Sequence, residues 1–133
     1  MNILGLDVGE KRIGMALANV IARLPSPHGV IANNDDSVDT IKKIIAENDV
    51  KHLVIGLPRN QSGQETAQSK YARDFALKLN EIEVPITFSD ESLSSKRAEE
   101  LQKNSKNRSV NQPIDDLAAC FILEEFFLEE KNR

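Results

Sequence analysis

The chain begins MNILGLDVGEKRIGMALA (residues 1–18), and the rest of the architecture can be worked out from this segment. Residues 3–7 predict a buried strand, and residues 8–11 predict a tight turn. Residues 12–18 predict a second strand that forms a hairpin with the first. Asp7 ends the first strand, so it is either an ordinary turn residue or a metal ligand at the mouth of a sheet.

Two glycines in this segment support the hairpin. Gly9 allows a sharp turn where a side chain would clash. Gly14 keeps the second strand free of bulk, so that a large group can approach its backbone.

Length and composition indicate one domain over residues 1–133. The chain can bury a real core, because 40% of its residues are apolar. The net charge of −4 argues against binding nucleic acid by bulk attraction, but it allows a local basic strip. The lone cysteine, Cys120, is typical of a small buried hydrophobe in a reducing cytoplasm. We see no signal peptide and no apolar run of about 20 residues, and therefore expect a cytoplasmic protein without a membrane span.

The middle of the chain alternates strands and helices. Residues 29–32 predict a third strand, at a sheet edge, because two prolines disfavour an interior strand at its start. Ser37 is expected to cap a helix that runs to about Asn48, with one apolar face formed by Val38, Ile41, Ile44 and Ile45. Residues 52–58 predict a strand buried on both faces. A helix between two strands suggests a parallel crossover.

The second half continues this alternation. Residues 65–80 predict a long helix whose apolar side comprises Ala67, Tyr71, Ala72, Phe75, Ala76 and Leu79. A strand at 84–89, a weakly amphipathic helix at 92–102 and an aperiodic loop at 103–112 follow. The final helix starts near Pro113 and packs through Ile114, Leu117, Ala118, Phe121 and Ile122. This order predicts an α/β fold, a mixed five-stranded sheet flanked by helices, whose first three strands are antiparallel.

Acidic residues follow the ends of several predicted elements. Asp7 ends the first strand, Asp90 and Glu91 end the last, and Asp115 lies in the first turn of the final helix. If the first and last strands are parallel and close, these acids share the edge where an α/β sheet binds its ligands. Carboxylates suit Mg²⁺, and two ions about 3.5–4 Å apart can assist phosphodiester hydrolysis. Taken singly, each acid also has an explanation without a metal. Turn chemistry explains Asp7, and the dipole at a helix N-terminus explains Asp90, Glu91 and Asp115.

Four stretches resemble the YqgF family, also called RuvX. They are Asp7-Val-Gly-Glu-Lys-Arg-Ile-Gly-Met-Ala16, Val54-Ile-Gly-Leu-Pro58 with Gly63 beyond it, Asp90-Glu-Ser-Leu-Ser-Ser95, and Ile114-Asp-Asp-Leu-Ala-Ala119. They occur in the family's order and cover nearly the whole chain. The resemblance implies a ribonuclease H-like fold, a five-stranded mixed sheet with three antiparallel strands first, in agreement with the predicted order.

The resemblance also implies an activity, a hydrolase of the nuclease class that uses Mg²⁺ or Mn²⁺. The family is described as a Holliday-junction resolvase and as a nuclease that matures the 5′ end of pre-16S ribosomal RNA. Matched by position, the implied catalytic and metal-binding residues are Asp7, Glu91 and Asp115. Asp90 is an alternative to Glu91, and Asp116 is an alternative to Asp115.

Two departures from the family pattern concern the grip on the substrate. Ser92 stands where the family usually has an arginine, and the segment 109–114 lacks the family's basic, glycine-rich character. Cations elsewhere are candidates for phosphate contacts, with a solvated charged surface as the alternative: Lys11, Arg12, Arg59, Lys96, Arg97, Lys103, Lys106 and Arg108. No aromatic platform for stacking bases is evident, so we expect recognition of structure rather than of bases.

The expected partner is nucleic acid, structured RNA or branched DNA, bound by a monomer or weak homodimer. Ser92 and the acidic net charge also suit a non-catalytic RNA-binding factor in ribosome assembly. Residues 9–14 superficially resemble a phosphate-binding loop, but Met15 and Ala16 replace the Lys-Ser or Lys-Thr pair that such a loop requires. The two histidines, His28 and His52, have no second histidine or cysteine nearby in sequence and do not suggest zinc.

Overall fold

Five strands form one mixed sheet in the order β3-β2-β1-β4-β5. The computed structural model describes residues 1–57, 67–79, 81–90 and 115–131, and for positions 90, 115, 116 and 131 it describes the backbone only. The strands are β1 (Asn2–Val8), β2 (Arg12–Asn19), β3 (Ser26–Ala32), β4 (Val50–Leu57) and β5 (Ile86–Asp90). The helices are α1 (Ser37–Glu47), α2 (Ala67–Lys78) and α3 (Asp115–Lys131).

The pairing of the strands confirms the predicted fold class. β2 is antiparallel to both β1 and β3. β4 is parallel to both β1 and β5. The strands β1, β4 and β5 therefore end at the same side of the sheet, which we call the carboxyl edge. The acids are expected to converge if the first and last strands are parallel and close. β1 and β5 are parallel, and only β4 lies between them.

The helices cover both faces of the sheet. Alternate residues of β1 (Leu4, Leu6 and Val8) pack with α1 and α2 in one core cluster. Ile3, on the opposite parity, packs with α3 in a second cluster together with Ala119, Ile122 and Leu123. We call the side of the sheet covered by α3 the α3 face. Cys120 is buried, as expected.

The helix α3 runs antiparallel to β1. Near its C-terminal end, the ring of Phe126 lies 5.3 Å from that of His52, whose register partner on β1 is Ile3. One turn earlier, Leu123 lies against Gly5, where an added Cβ would stand 2.7 Å from Leu123 Cγ. The N-terminus of α3 therefore points to the carboxyl edge.

Three strands begin at other residues than predicted, and the edge position of a proline explains the start of β3. β3 begins at Ser26 and includes Pro27, because β3 is an edge strand and one missing N–H is tolerated there. β4 begins at Val50, two residues earlier than predicted. β5 begins at Ile86, two residues later, and the carbonyl oxygen of Pro85 accepts a hydrogen bond from Leu53 N at 2.9 Å.

Two helix predictions need correction. Asp36, rather than Ser37, is the N-cap of α1, and its side chain makes no capping hydrogen bond. Ser37 is the first helical residue, and its buried Oγ accepts a hydrogen bond from Asn34 N at 2.7 Å. In α2, Tyr71 is exposed and Ser69 is buried, because the buried stripe follows Ser69, Ala72, Phe75 and Leu79 at helical spacing.

The predicted helix at 92–102 and loop at 103–112 lie outside the described residues. Within the described part of the chain, no helix is both long and apolar enough to cross a membrane.

Candidate active site

Asp7 lies at the end of β1, at the carboxyl edge. Its residue is only 4% exposed, and strand alternation places it with Ile3 and Gly5 on the α3 face. A buried carboxylate needs polar partners. Gln68, in the first turn of α2, is one of them: its Nε2 donates to Asp7 Oδ1 at 3.3 Å and lies 3.4 Å from the carbonyl oxygen of Val8. Gln68 thus ties α2 to the end of β1 and fixes the orientation of the carboxylate.

A row of four residues crosses the sheet at the level of Asp7. Asp7 pairs with Gly14 of β2, and the parallel register, in which Leu6 pairs with Ile55, continues to bring Asp7 beside Gly56 of β4. Gly56 in turn pairs with Ser89 of β5. We call Gly14, Asp7, Gly56 and Ser89 the carboxylate row. Since glycines flank Asp7 on both neighbouring strands, those strands contribute no side chain at its level.

Ser89 belongs to the same face as Asp7. Thr87, two residues earlier on β5, has its Oγ1 2.7 Å from Nε2 of His52, and that imidazole packs edge-on against Phe126 of α3. Ser89 is 2% exposed, and its hydroxyl has no hydrogen-bond partner within the described structure. An unsatisfied buried hydroxyl costs about 1–3 kcal/mol and calls for an explanation such as a bound water or ion.

The backbone of Asp115 reaches the same edge. An added Cβ on Gly5 would lie 3.2 Å from the carbonyl oxygen of Ala119, and Asp115 is one helical turn before Ala119, about 6 Å along the axis. Asp7 is two residues beyond Gly5, about 6.6 Å along the strand. Because α3 and β1 are antiparallel, both displacements are toward the carboxyl edge.

The third predicted acid, Glu91, lies outside the described residues. It directly follows Asp90, which ends β5 and pairs with Leu57 at the carboxyl edge. Among the described side chains, no group of three or more His, Cys, Asp or Glu is placed to hold a metal ion. The set Asp7, Glu91 and Asp115 therefore stays a prediction.

The donor chemistry at this edge suits a hard cation. The described side chains of the carboxylate row offer only oxygen atoms, the Asp7 carboxylate and the unsatisfied hydroxyl of Ser89. Oxygen donors are the ligands that Mg²⁺ and Mn²⁺ prefer, whereas zinc sites use nitrogen and sulfur. A small hydrated cation therefore fits the residues that are present.

Two of the predicted cations lie beside this site. Lys11, in the turn between β1 and β2, and Arg12, the first residue of β2, are both exposed. They line an open concavity of about 310 Å³ together with Gly9, Glu10, Gln68 and Tyr71. Gln68 also contacts Asp7, so this concavity adjoins the carboxylate. The other predicted cations, Arg59, Lys96, Arg97, Lys103, Lys106 and Arg108, lie outside the described residues.

Sequence reasoning overlooked three residues of this region. Gln68 is not singled out by the sequence, and Tyr71, which the sequence places on the apolar side of its helix, is 37% exposed. Ser89 carried a signal, since it is a hydroxyl in a strand two positions before Glu91 and shares the strand parity of that acid.

Sequence comparison identifies the family. A family model described as "RuvX: Holliday junction resolvase" matches residues 1–129. The chain belongs to the RuvX family. A RuvX relative from Orientia tsutsugamushi (strain Ikeda), named "Putative pre-16S rRNA nuclease", is 40% identical over 126 residues, which cover 92% of this chain and 80% of that one. A protein of the same name from Sulfurihydrogenibium sp. (strain YO3AOP1) is 35% identical over 127 residues, 93% of this chain and 88% of that one.

Solved structures of resolvases share the fold of this RuvX protein. Thermus thermophilus RuvC in complex with a Holliday junction substrate aligns with a TM-score of 0.64 over 99% of this chain and 96% of that one, at 14% identity. The fowlpox virus Holliday junction resolvase aligns with a TM-score of 0.55 over 98% and 99%, at 13% identity. At such identities the likeness establishes the fold alone, and it confirms the ribonuclease H-like class.

Proposed function

We propose that this RuvX protein is a divalent-metal-dependent nuclease that hydrolyses phosphodiester bonds in structured nucleic acid. One observation carries the proposal: Asp7 is buried at the carboxyl edge, between two glycines, in a row that ends at the unsatisfied hydroxyl of Ser89. Burying a carboxylate costs stability, and the two flanking glycines place no side chain beside it, so the arrangement suits a site that holds a cation.

Asp7, Glu91 and Asp115 are the residues that would hold Mg²⁺ or Mn²⁺. When bound, such ions activate a water and stabilise the charge that develops on the leaving oxygen of a phosphodiester. Gln68 fixes one oxygen of the Asp7 carboxylate through its 3.3 Å hydrogen bond, so the ligand is oriented before the cation arrives. Hydrolysis in line leaves a 5′-phosphate and a 3′-hydroxyl.

Lys11 and Arg12 hold the substrate backbone near Asp7. Both are exposed, Lys11 in the β1–β2 turn and Arg12 at the start of β2, and both line the concavity that includes Gln68, the residue that donates to Asp7. Cations of this kind contact phosphates and supply affinity without reading bases. With a net charge of −4, the protein depends on such local groups rather than on bulk attraction.

Two substrates follow from the names of the relatives. The proteins from Orientia and Sulfurihydrogenibium are named for pre-16S rRNA, and the family model is named for Holliday junctions. We infer maturation of the 5′ end of pre-16S rRNA as the first role, because it is the name carried by relatives at 35–40% identity over most of the chain. Resolution of branched DNA is the second.

The deciding experiment measures cleavage of a 5′-extended pre-16S rRNA fragment and of a four-way DNA junction, with Mg²⁺, Mn²⁺ or a chelator. Asp7→Asn is compared with Asp35→Asn, the same chemical change at an exposed site. We expect Asp7→Asn to lower the rate by about a hundredfold or more, since it removes charge at the reacting centre. Asp35→Asn should cut like the parent. Equal rates for Asp7→Asn and the parent would overturn the proposal.

The second candidate is a non-catalytic RNA-binding factor in ribosome assembly. It is favoured by Ser92 at the position where the family usually has an arginine, and by the acidic net charge. Calorimetric titration with Mn²⁺ separates the two candidates. Retained RNA binding without any binding of millimolar metal would favour the assembly factor.

A further inference from the structure

The hydroxyl of Ser89 and the carboxylate of Asp7 stand on one row and one face, with only Gly56 between them. Two strand spacings, each about 4.8 Å, separate their backbones. Since Gly56 has no side chain, β4 places no side chain between the two polar groups. This part of the carboxylate row lies at the carboxyl edge, where ligands of an α/β sheet bind.

The two hydroxyl groups on the same face of β5 differ in their hydrogen bonding. Thr87 lies on the same face of the same strand, and its hydroxyl is paired with Nε2 of His52 at 2.7 Å. The hydroxyl of Ser89, one step nearer the carboxyl edge, has no partner in the part of the chain that the structure describes. An alanine there would avoid the cost of an unpaired buried hydroxyl. The described residues therefore leave the Ser89 hydroxyl available to a ligand at the carboxyl edge.

We propose that Ser89 is a positioning residue for the cation held by Asp7, and that its Oγ accepts a hydrogen bond from a water in the hydration shell of that cation, above Gly56. The inference rests on the proposed function. Mg²⁺ retains several of its waters when it binds to proteins. Those waters are polarised by the ion and are strong donors, and a serine oxygen has two lone pairs to accept them.

This role explains why a polar side chain is buried at the end of β5. The hydroxyl is held rigidly by the strand, so it fixes one direction of the hydration shell at little entropic cost. Mutation of a residue that hydrogen-bonds to the ligands of a metal typically lowers metal affinity by about 10–100-fold. Ser89 would thus set how tightly and in which orientation the cation is held, without touching the ion.

The test uses Ser89→Ala and Ser89→Cys, with Thr87→Val as the matched control. Binding of Mn²⁺ to the full chain is measured by calorimetry in the absence of nucleic acid, and thermal unfolding is measured in chelator and in Mn²⁺. We expect Ser89→Ala to weaken Mn²⁺ binding about tenfold. Its melting temperature in chelator should equal or exceed that of the parent, since an unsatisfied polar group has been removed. Ser89→Cys keeps nearly the same volume with a weak acceptor, and should also weaken binding.

Thr87→Val should show the opposite pattern, a lower melting temperature with unchanged Mn²⁺ affinity, because it breaks the hydrogen bond to His52 away from the carboxylate row. Parental Mn²⁺ affinity in both Ser89 variants would overturn the role of Ser89. If both Ser89 variants bind Mn²⁺ like the parent while Asp7→Asn abolishes binding, the proposed function stands and only the inference about Ser89 fails. A parent protein that binds no Mn²⁺ overturns both. A Ser89→Ala variant destabilised in chelator as much as Thr87→Val would show a partner within the chain, and also sinks the inference.

Discussion

Gly5 of β1 and Leu123 of α3 are packed so closely that no methyl group fits between them. An ideal Cβ on Gly5 would lie 2.7 Å from Leu123 Cγ and 3.2 Å from the carbonyl oxygen of Ala119. This contact sets the distance between α3 and the sheet. It also fixes the position of Asp115, one turn before Ala119, relative to Asp7 along the direction of β1.

We predict that Gly5→Ala destabilises the protein by about 1–3 kcal/mol, because the added methyl overfills a packed interface. Urea unfolding measures the change. Leu123→Ala introduced on top of Gly5→Ala should be less damaging than the sum of the two single changes, since the methyl then has room. Gly29→Ala is the control: Gly29 has φ +92° and nothing within 4 Å of an added Cβ, so its cost comes from backbone strain. Leu123→Ala should not relieve that cost.

Asn33 connects the end of β3 to the turn that contains Lys11 and leads into Arg12 of β2. Its Nδ2 donates to the carbonyl oxygen of Gly9 at 2.8 Å, and its backbone N donates to that of Lys11 at 2.8 Å. We predict that Asn33→Ala costs about 1 kcal/mol and loosens the turn. Under the proposed function, KM for RNA should rise more than kcat falls.

The control for this change is Asn34→Ala. The Oδ1 of Asn34 accepts a hydrogen bond from Asp36 N at 2.9 Å, outside the turn. Steady-state kinetics with the rRNA fragment decides the outcome. If Asn33→Ala and Asn34→Ala give the same KM as the parent, Asn33 has no part in presenting the cations.

Stability should depend on the protonation of His52. Burial lowers the pKa of His52 below its usual 6.5, and the charge of Glu130 opposes this in part. The unfolded chain therefore binds a proton at a higher pH than the folded one. The free energy of unfolding should fall as the pH drops from 6.5 toward the lowered folded-state pKa, and this residue should contribute no slope above 6.5.

Urea unfolding between about pH 5 and pH 8 tests this dependence. His52→Gln, whose amide can still reach the hydroxyl of Thr87, should flatten the curve in that range. An unchanged slope in His52→Gln would show that another group is responsible.

Metal should stabilise the folded protein in proportion to its binding. At a free Mn²⁺ concentration of about 100 times its dissociation constant, linkage gives about 2.7 kcal/mol of added stability. We predict that Asp7→Asn loses this stabilisation and that Asp35→Asn keeps it. Thermal unfolding in chelator and in Mn²⁺ measures both, and a chelator should abolish cleavage by the parent. A metal-induced shift of equal size in Asp7→Asn would remove Asp7 from the ligand set.

The sequence predicts the strands and helices well. It predicts less well how a helix is rotated about its axis and which residues of neighbouring strands lie side by side. The apolar runs of β1 and β4 and the glycine turn at Gly9 are local signals, and they predicted strands, hairpin and sheet class. The buried stripe of α2 depends on how the helix is turned about its axis, which packing against the sheet decides. For this reason Ser69, and not Tyr71, is buried.

The same distinction holds at the site. Asp7 could be placed at a strand end from its neighbours in sequence, and the structure puts it at the carboxyl edge. Its contact with Gln68 spans 61 positions, and its row with Ser89 depends on the registers of two parallel pairs. Neither relation has a local pattern in the sequence.

The position of β1 in the middle of the sheet has a consequence for synthesis on the ribosome. β1 and β2 are joined by a short turn and pair locally, but the other neighbour of β1, β4, is complete only at Leu57, and α3 begins only at Asp115. Such long-range pairings close late in folding. Under the proposed function, a nascent chain leaves the RNA around it uncut until the residues through α3 have been made and have packed against the sheet.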